Sequence, residues 1–113
     1  MCTQATLNTI TSKVAQAAKD SLGDRLEKVI LYGSYARGDY DDESDIDIMV
    51  LADIPHEDCW KERTKISERI RTLDLEHDVL VSLHVTDCAT FYTYMSDLPF
   101  YMNVDKEGVT LSA

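Results

Sequence analysis

Hydrophobic positions near the start of the chain recur every three or four residues, which is the period of an amphipathic helix. The positions that share this face are Leu7, Ile10, Val14, Ala17, Ala18 and Leu22. The pattern predicts a helix over residues 4–22. Gly23 is a suitable residue to end it, because glycine readily adopts the backbone conformation found at helix C-termini.

Two short apolar segments that follow have the composition of buried strands. Residues 28–32 (KVILY) predict the first strand and residues 45–51 (DIDIMVL) the second. Side chains alternate between the two faces of a strand. The members of one face are Asp45, Asp47, Met49 and Leu51, and those of the other are Ile46, Ile48 and Val50. We expect the second strand to be central and to lie beside the first.

The next helix is predicted from Pro55 to about Leu75. Its predicted core residues are Cys59, Trp60, Ile66, Ile70 and Leu73. Residues 78–85 predict a third strand, which begins at Asp78. One face of that strand carries Asp78, Leu80, Ser82 and His84.

The last third of the chain predicts two helices and a short strand. The first helix covers residues 87–95 with Thr86 or Asp87 as its cap. The second covers residues 99–108, and residues 109–111 form the strand. Strands separated by helices predict an α/β (α+β) layer in which helices pack on one sheet. A length of 113 residues suits a single domain, residues 1–113.

The composition narrows the functional classes. A formal net charge of −10, with 11 basic against 21 acidic residues, makes direct nucleic-acid binding by this chain improbable. A small phosphate ligand stays open if a cation screens the carboxylates. Neither a membrane span nor a signal peptide is expected, so we expect a cytoplasmic location. Cys2, Cys59 and Cys88 lack C-x-x-C spacing and predict reduced thiols rather than a zinc site or a disulfide framework.

The residues best suited to bind a phosphate or a metal ion lie between positions 33 and 47. Gly33 and Ser34 follow the first strand and predict a sharp turn into a helical turn, which suits a phosphate. Asp45 and Asp47 project from the same side of a strand with Cα atoms about 6.5–7 Å apart. Such a pair suits Mg²⁺, which takes one or two carboxylates together with phosphate oxygens. The contrasting interpretation is a common turn and a solvated sheet edge.

In combination, the segments GSYARG and SDID resemble the DNA polymerase beta-like nucleotidyltransferase superfamily, in its branch of minimal nucleotidyltransferases. The matching residues are Gly33, Ser34, Ala36, Arg37, Gly38, Ser44, Asp45, Ile46 and Asp47. A looser similarity extends to the tail segment PFYMNVDKEGVTL. The resemblance therefore spans most of the chain.

The resemblance implies a mixed central sheet flanked by helices, and Mg²⁺ ions that bind a nucleoside triphosphate such as ATP. A hydroxyl then attacks the α-phosphorus and pyrophosphate leaves. By resemblance, Asp45 and Asp47 are catalytic metal ligands, and Gly33 and Ser34 bind the nucleotide. The family adds a third carboxylate from a later strand, for which Asp78 is our candidate.

The sequence leaves the roles of several of these residues open. Asp78 could instead cap the entry to its strand, and if Ser82 or His84 faces the metals the carboxylate triad is incomplete. His84 is either a general base or a packed or surface histidine. Arg37 binds phosphate or pairs with Asp39 or Asp41. The acidic run from residue 39 to 43 is expected to be a solvated loop, and Tyr32 and Tyr35 either stack on a base or pack internally.

Two functions from different classes are compatible with the resemblance. The first is an Mg²⁺-dependent nucleotidyltransferase that moves AMP from ATP to an acceptor hydroxyl. The second is an antitoxin-like interaction module with little or no catalysis. Small members of the family are often paired with an all-helical HEPN protein, so the resemblance also implies a helical HEPN-type partner in a toxin–antitoxin setting. Since we expect a single small domain, without a second one to clamp a base or present an acceptor, a partner is consistent with the sequence.

Overall fold

A computed structural model describes residues 3–41 and 43–112, so Cys2 and Asp42 lie outside the described residues. Helix α1 spans Gln4–Leu22 and strand β1 spans Leu26–Tyr32, with a short 3₁₀ turn between them. Helix α2 (Ser34–Arg37) and strand β2 (Ile46–Ala52) follow. The remaining elements are α3 (Cys59–Ile70), α4 (Leu73–His77), β3 (Val81–Asp87), α5 (Cys88–Tyr94), α6 (Pro99–Glu107) and β4 (Val109–Ser112).

The four strands form one mixed sheet in the order β3-β2-β1-β4. Strand β2 pairs antiparallel with β1 and parallel with β3, and β1 also pairs antiparallel with β4. The predicted central position of the second strand beside the first is therefore confirmed. Among the described residues, helices lie on both sides of this sheet, as expected for an α+β protein.

The alternation predicted for β2 decides which layer each of its side chains joins. Ile46, Ile48 and Val50 belong to the larger core, together with residues of α1 and α3. Met49 and Leu51 belong to a smaller core with Phe91 of α5 and Val104 of α6. Both sets are completely buried, with 0% exposure for each of the five β2 side chains. The Asp47 side therefore faces the α5–α6 layer.

The prediction of one continuous helix from Pro55 to about Leu75 is wrong. A 3₁₀ turn at His56–Asp58 precedes α3, and the chain turns again at residues 71–72 before α4. This second turn buries Leu73 and brings Asp74 beside β3, where its Oδ1 accepts the N–H of Val81 at 3.3 Å.

The predicted burial of Trp60 is also wrong, because its side chain is 66% exposed. Trp60 is next to Cys59 on α3, and successive helical residues point about 100° apart. The buried stripe of α3 passes through Glu62, Ile66 and Ile70 instead. Glu62 is 3% exposed and is paired with Arg25 at 3.2 Å.

The remaining predictions for the second half hold with shifted bounds. Asp87 is the cap of α5, since its side chain accepts the N–H of Thr90 at 2.9 Å. Strands β3 and β4 exist, although β3 begins later than predicted. Cys59 and Cys88 are free thiols and half-buried, as expected. Among the described residues, no helix is both long and apolar enough to cross a membrane.

Candidate functional site

Asp47 is the centre of the candidate site. It is the second residue of β2 and is half-buried. Its register partner on β1 is Tyr32, and its register partner on β3 is Ser82. Asp47 therefore lies between two neighbouring strands, at the end of the sheet where β1 finishes and β2 begins.

Gly33 lies against the carboxylate of Asp47, and a residue with a Cβ at position 33 would displace that carboxylate. Its backbone has φ 75° and ψ −155°, a region that residues with a Cβ rarely adopt. A Cβ added to Gly33 would collide with Oδ2 of Asp47. The turn that begins α2 and the carboxylate of β2 are thus in direct contact, although 14 residues separate them in the sequence.

Ser34 follows Gly33 as the first residue of α2 and is half-buried. The short helix is stabilised by backbone bonds: Ala36 and Arg37 donate to the carbonyl of Gly33, each at 3.1 Å. It ends at Gly38, whose N–H donates to the carbonyl of Ser34 at 2.9 Å. The predicted strand, turn and helical turn are therefore present.

Asp45 lies just before β2 and is half-buried. Burial and, next, the charge of Asp45 raise the pKa of the Asp47 carboxyl, whereas His84 and Arg37 lower it. The two carboxylates are therefore close enough to repel each other. A divalent cation between them would remove this repulsion, and oxygen ligands of this kind suit Mg²⁺. The donor set therefore fits the metal that the sequence predicts.

Three rings contact one another on this face of the sheet, and two of them, Tyr32 and His84, lie near Asp47. The Tyr32 ring meets Phe100 of α6 edge-on with centroids 5.7 Å apart. The imidazole of His84 lies 6.3 Å from Tyr32 and 6.1 Å from Phe100. Burial and the nearby charge of Asp47 raise the pKa of the Tyr32 phenol. Tyr32 is thus buried beside the carboxylate, whereas His84 is exposed and near enough for its charge to lower the pKa of Asp47.

Arg37 pairs with acidic side chains. Its Nε donates to Asp39 at 3.1 Å and its Nη1 to Glu107 of α6 at 3.3 Å. The pair with Asp39 is one of the roles that the sequence allows for Arg37, whereas Glu107 lies 70 residues away and no local pattern points to it. The charge of Arg37 still reaches the site, since it lowers the pKa of Asp47.

Packing decides the role of Tyr35 and the exposure of the acidic run. Tyr35 is buried and stacks on Tyr40, with centroids 4.1 Å apart and planes 9° from parallel. The described residues of the acidic run, Asp39, Asp41 and Glu43, are exposed, as expected for a solvated loop.

The expected place of Asp78 as the first residue of β3 is wrong. Asp78 is the C-cap of α4, exposed, with a left-handed φ of 52°, and β3 begins at Val81. The parallel register sets Ser82 beside Asp47, and the N–H of Ile46 donates to the carbonyl of Leu80 at 2.9 Å. The residues around the start of β3 that adjoin the carboxylate pair are therefore Leu80 and Ser82, and neither is acidic.

A cleft of about 430 Å³ opens beside Asp45, between β3 and the pair of helices α3 and α4. Its lining includes the guanidinium groups of Arg63 and Arg71 and the carboxylate of Asp74. The Nε of Arg63 donates to the carbonyl of Leu83 at 2.9 Å, which fixes the wall of the cleft against β3. The cleft offers positive charge beside Asp45, on the α3 side of the sheet, in a strongly acidic protein.

A second cluster of reactive side chains lies at the opposite end of the sheet. His56, Cys59 and Asp87 have their ligand atoms within 4.8 Å of one another. Sequence reasoning from C-x-x-C spacing alone misses this cluster. The spacing His56-x-x-Cys59 is visible in the sequence, but the third member of the cluster is 28 residues further along the chain.

Comparisons with known proteins agree that this chain is similar to nucleotidyltransferases. Residues 11–107 match the family model described as a nucleotidyltransferase domain. A protein of Methanocaldococcus jannaschii assigned as a protein adenylyltransferase is 46% identical over 61 residues, which are 54% of this chain and 60% of that protein. A second protein of the same organism with the same assignment is 33% identical over 95 residues, covering 84% of this chain and 87% of its own length.

Solved structures extend this likeness to the fold. A crystal structure assigned as a nucleotidyltransferase from Sulfolobus solfataricus has a TM-score of 0.61 and 25% identity, covering 91% of this chain and 77% of its own. A toxin–antitoxin crystal structure with AMP-PNP has a TM-score of 0.54 and 21% identity, covering 89% of this chain and 71% of its own. At 21% identity, the likeness to the toxin–antitoxin structure shows a shared fold alone.

Proposed function

Because the chain belongs to the nucleotidyltransferase domain family, we propose that it transfers a nucleoside monophosphate, AMP from ATP, to an acceptor hydroxyl. The observation that carries the proposal is the contact between Gly33 and the carboxylate of Asp47. This contact joins a turn suited to phosphate with a carboxylate suited to a metal. The assignment of the two relatives as protein adenylyltransferases supports a hydroxyl on a protein as the acceptor.

Asp45 and Asp47 would hold Mg²⁺ in this proposal. When bound, the ion would polarise the phosphate oxygens and lower the pKa of the attacking hydroxyl. The carboxylates contribute negative charge and orientation, since Gly33 and the flanking strands restrict where Asp47 can point.

The other residues of the site have distinct roles in the proposal. Gly33 allows the backbone to approach the triphosphate, and the hydroxyl of Ser34 donates a hydrogen bond to it. The phenol of Tyr32 keeps its proton at physiological pH, because burial and Asp47 raise its pKa, so it remains a hydrogen-bond donor beside the carboxylates. Arg37 contributes positive charge to the same region.

The acceptor, in this proposal, is presented by a helical partner of the HEPN type. Exposed apolar side chains lie on α5, α6 and the segment between them: Tyr92, Tyr94, Leu98 and Phe100. Phe100 is 45% exposed and also touches the ring of Tyr32, so this surface reaches the site. Exposed aromatic groups of this kind are enriched where proteins bind one another. The net charge of −10 would favour a partner with a basic surface.

Replacing Asp45 or Asp47 with asparagine tests the metal role. Each change removes one negative ligand with little change of shape, so the fold should persist. Metal assistance is worth several kcal/mol, and therefore transfer of label from ATP should fall on the order of 10²- to 10³-fold. Asp53→Asn is the matched control, because Asp53 is exposed and directly follows the opposite end of β2.

The assay uses ATP labelled at the α-phosphate, Mg²⁺ and lysate of the native host, followed by gel electrophoresis and mass spectrometry of the labelled band. Wild type and Asp53→Asn should label an acceptor, whereas the two site variants should not. Equal labelling by all four proteins would refute the metal assignment. Co-purification from the native host tests the partner, and recovery of monomer or self-dimer alone would argue against it.

A specific observation favours the second candidate, a nucleotide-binding interaction module. The start of β3 offers Leu80 and Ser82 beside the carboxylate pair, so this part of β3 does not supply the third carboxylate that the resemblance implies. The module would bind Mg-ATP and its partner without transferring label. Wild type that binds Mg-ATP in equilibrium dialysis but labels nothing, even with the purified partner, would decide for this function.

A further inference from the structure

Three side chains with metal-ligating atoms converge where β3 ends. His56 comes from the 3₁₀ turn before α3, Cys59 is the first residue of α3, and Asp87 is the last residue of β3. The Nδ1 of His56 lies 2.9 Å from Oδ1 of Asp87, and the Sγ of Cys59 donates to the same oxygen at 3.8 Å. All three ligand atoms lie within 4.8 Å of one another.

We propose that His56, Cys59 and Asp87 form a binding site for a divalent transition-metal ion of the zinc type, with water as the fourth ligand. Zinc bonds of about 2.0–2.3 Å in a tetrahedron place neighbouring ligand atoms roughly 3.3–3.8 Å apart. The separations of 2.9 and 3.8 Å are near this range, so rotation of the exposed His56 side chain suffices to admit the ion.

The carboxylate of Asp87 is held in a fixed orientation within the cluster. It is 3% exposed, although it carries a carboxylate. Its Oδ2 accepts the N–H of Thr90 at 2.9 Å, which leaves Oδ1 directed at His56 and Cys59. Partners that orient a ligand in this way are typical of metal sites. His56 is mostly exposed, so the fourth position is open to water.

Binding of the ion requires the Cys59 thiol to lose its proton, because the thiolate is the metal ligand. The ion would displace this proton to solvent and bond to the thiolate. It would also bond to Nδ1 of a neutral His56 that carries its hydrogen on Nε2. Affinity should therefore increase with pH.

The site is distinct from the Asp45 and Asp47 pair in place and in chemistry. Asp87 is the register partner of Ala52, five residues along β2 from Asp47, or roughly 17 Å at about 3.3 Å per residue. Thiolate and imidazole select zinc, cobalt or nickel, whereas paired carboxylates select magnesium. The ion would join α3 to the N-terminus of α5, and therefore stabilise the packing of helices on opposite sides of the sheet.

Cobalt titration of the full-length, EDTA-treated and dialysed chain tests the proposal. Co²⁺ at one equivalent should produce a sulfur-to-cobalt charge-transfer band and the visible bands of a tetrahedral site, and Zn²⁺ should abolish both. Cys59→Ser should lose the charge-transfer band. Cys88→Ser is the matched control, because Cys88 is a half-buried thiol next to Asp87 but outside the cluster, and it should keep the band.

Two further variants keep the test decisive. His56→Ala changes an exposed side chain, so it should stay folded and bind Co²⁺ at least about tenfold more weakly, since losing even an outer partner costs that much. Asp45→Asn should leave the cobalt bands unchanged. Zn²⁺ should raise the melting temperature of wild type and Cys88→Ser but not of Cys59→Ser.

The proposal is overturned if wild type shows no charge-transfer band at millimolar Co²⁺, which would make the cluster a hydrogen-bonded helix cap only. It is also overturned if Cys59→Ser retains the band, if Cys88→Ser abolishes it, or if His56→Ala binds as tightly as wild type. If Cys59→Ser fails to fold, the affinity of His56→Ala and the spectrum of Cys88→Ser decide the outcome.

Discussion

Replacing Gly33 with alanine separates the stability of the turn from the position of the Asp47 carboxylate. Gly33 has φ 75° and ψ −155°, a backbone region that costs an alanine about 1–3 kcal/mol. Gly23 provides the matched control, since its φ of 57° and ψ of −128° lie in a similar region. The two substitutions should therefore reduce the free energy of unfolding by comparable amounts.

Only one of the two substitutions affects the site. The new Cβ at position 23 would meet nothing within 4 Å, whereas the Cβ at position 33 would collide with Oδ2 of Asp47. The carboxylate must then move away from the place that the two flanking strands define. Misplacing a metal ligand removes part of the several kcal/mol that metal assistance supplies. A loss of about 3 kcal/mol corresponds to a fall on the order of 10²-fold in transfer.

The assay measures both properties for each variant. Urea unfolding reports stability, while equilibrium dialysis with Mg-ATP and labelling of the acceptor report function. A domain of this size has about 5–15 kcal/mol of stability, so both variants should be mainly folded at low temperature. Gly33→Ala should lose binding and labelling, and Gly23→Ala should keep them. Full labelling by folded Gly33→Ala, or an equal loss in Gly23→Ala, would refute the reasoning.

Further predictions concern the third carboxylate and the core. The variant Asp78→Asn should transfer label to the acceptor as wild type does, because residue 78 lies outside β3 and asparagine tolerates its left-handed backbone. A loss of labelling as large as that of Asp45→Asn would return Asp78 to the site. Ser82→Asp should tighten Mg²⁺ binding measured by calorimetry, because position 82 adjoins Asp47 of the carboxylate pair. Unchanged binding would contradict the register of β3 beside β2. Ile66→Ala should lower the free energy of unfolding in urea by about 2–5 kcal/mol, because the Ile66 side chain is 0% exposed. Trp60→Ala should change the free energy of unfolding by less than about 0.5 kcal/mol, because the Trp60 side chain is 66% exposed. A large loss at Trp60 would contradict its placement.

The features that can be predicted from the sequence are those that depend on local periodicity. The helix at residues 4–22 is predicted with its observed bounds because its apolar residues repeat with the helical period. The faces of β2 follow from strict alternation, which puts Asp47 on the same side as Met49. The turn at Gly33 and the cap at Asp87 are predictable because these residue types satisfy local backbone needs.

Tertiary structure decided the features that depend on pairing between distant segments. The register of β3 beside β2 determines that Ser82, rather than Asp78, adjoins Asp47, and no local pattern encodes a register between strands separated by two helices. The bond between Arg37 and Glu107 likewise arises only when α6 packs on the sheet.

The break between α3 and α4 and the exposure of Trp60 have the same origin. Neither glycine nor proline marks residues 71–72, and the chain turns there because Leu73 and Asp74 gain contacts with the core and with β3. The sequence by itself therefore determined the elements and the chemistry that each can carry. The fold determined which of these groups meet, because contacts across the sheet and between layers depend on the packing of the whole chain rather than on any local pattern.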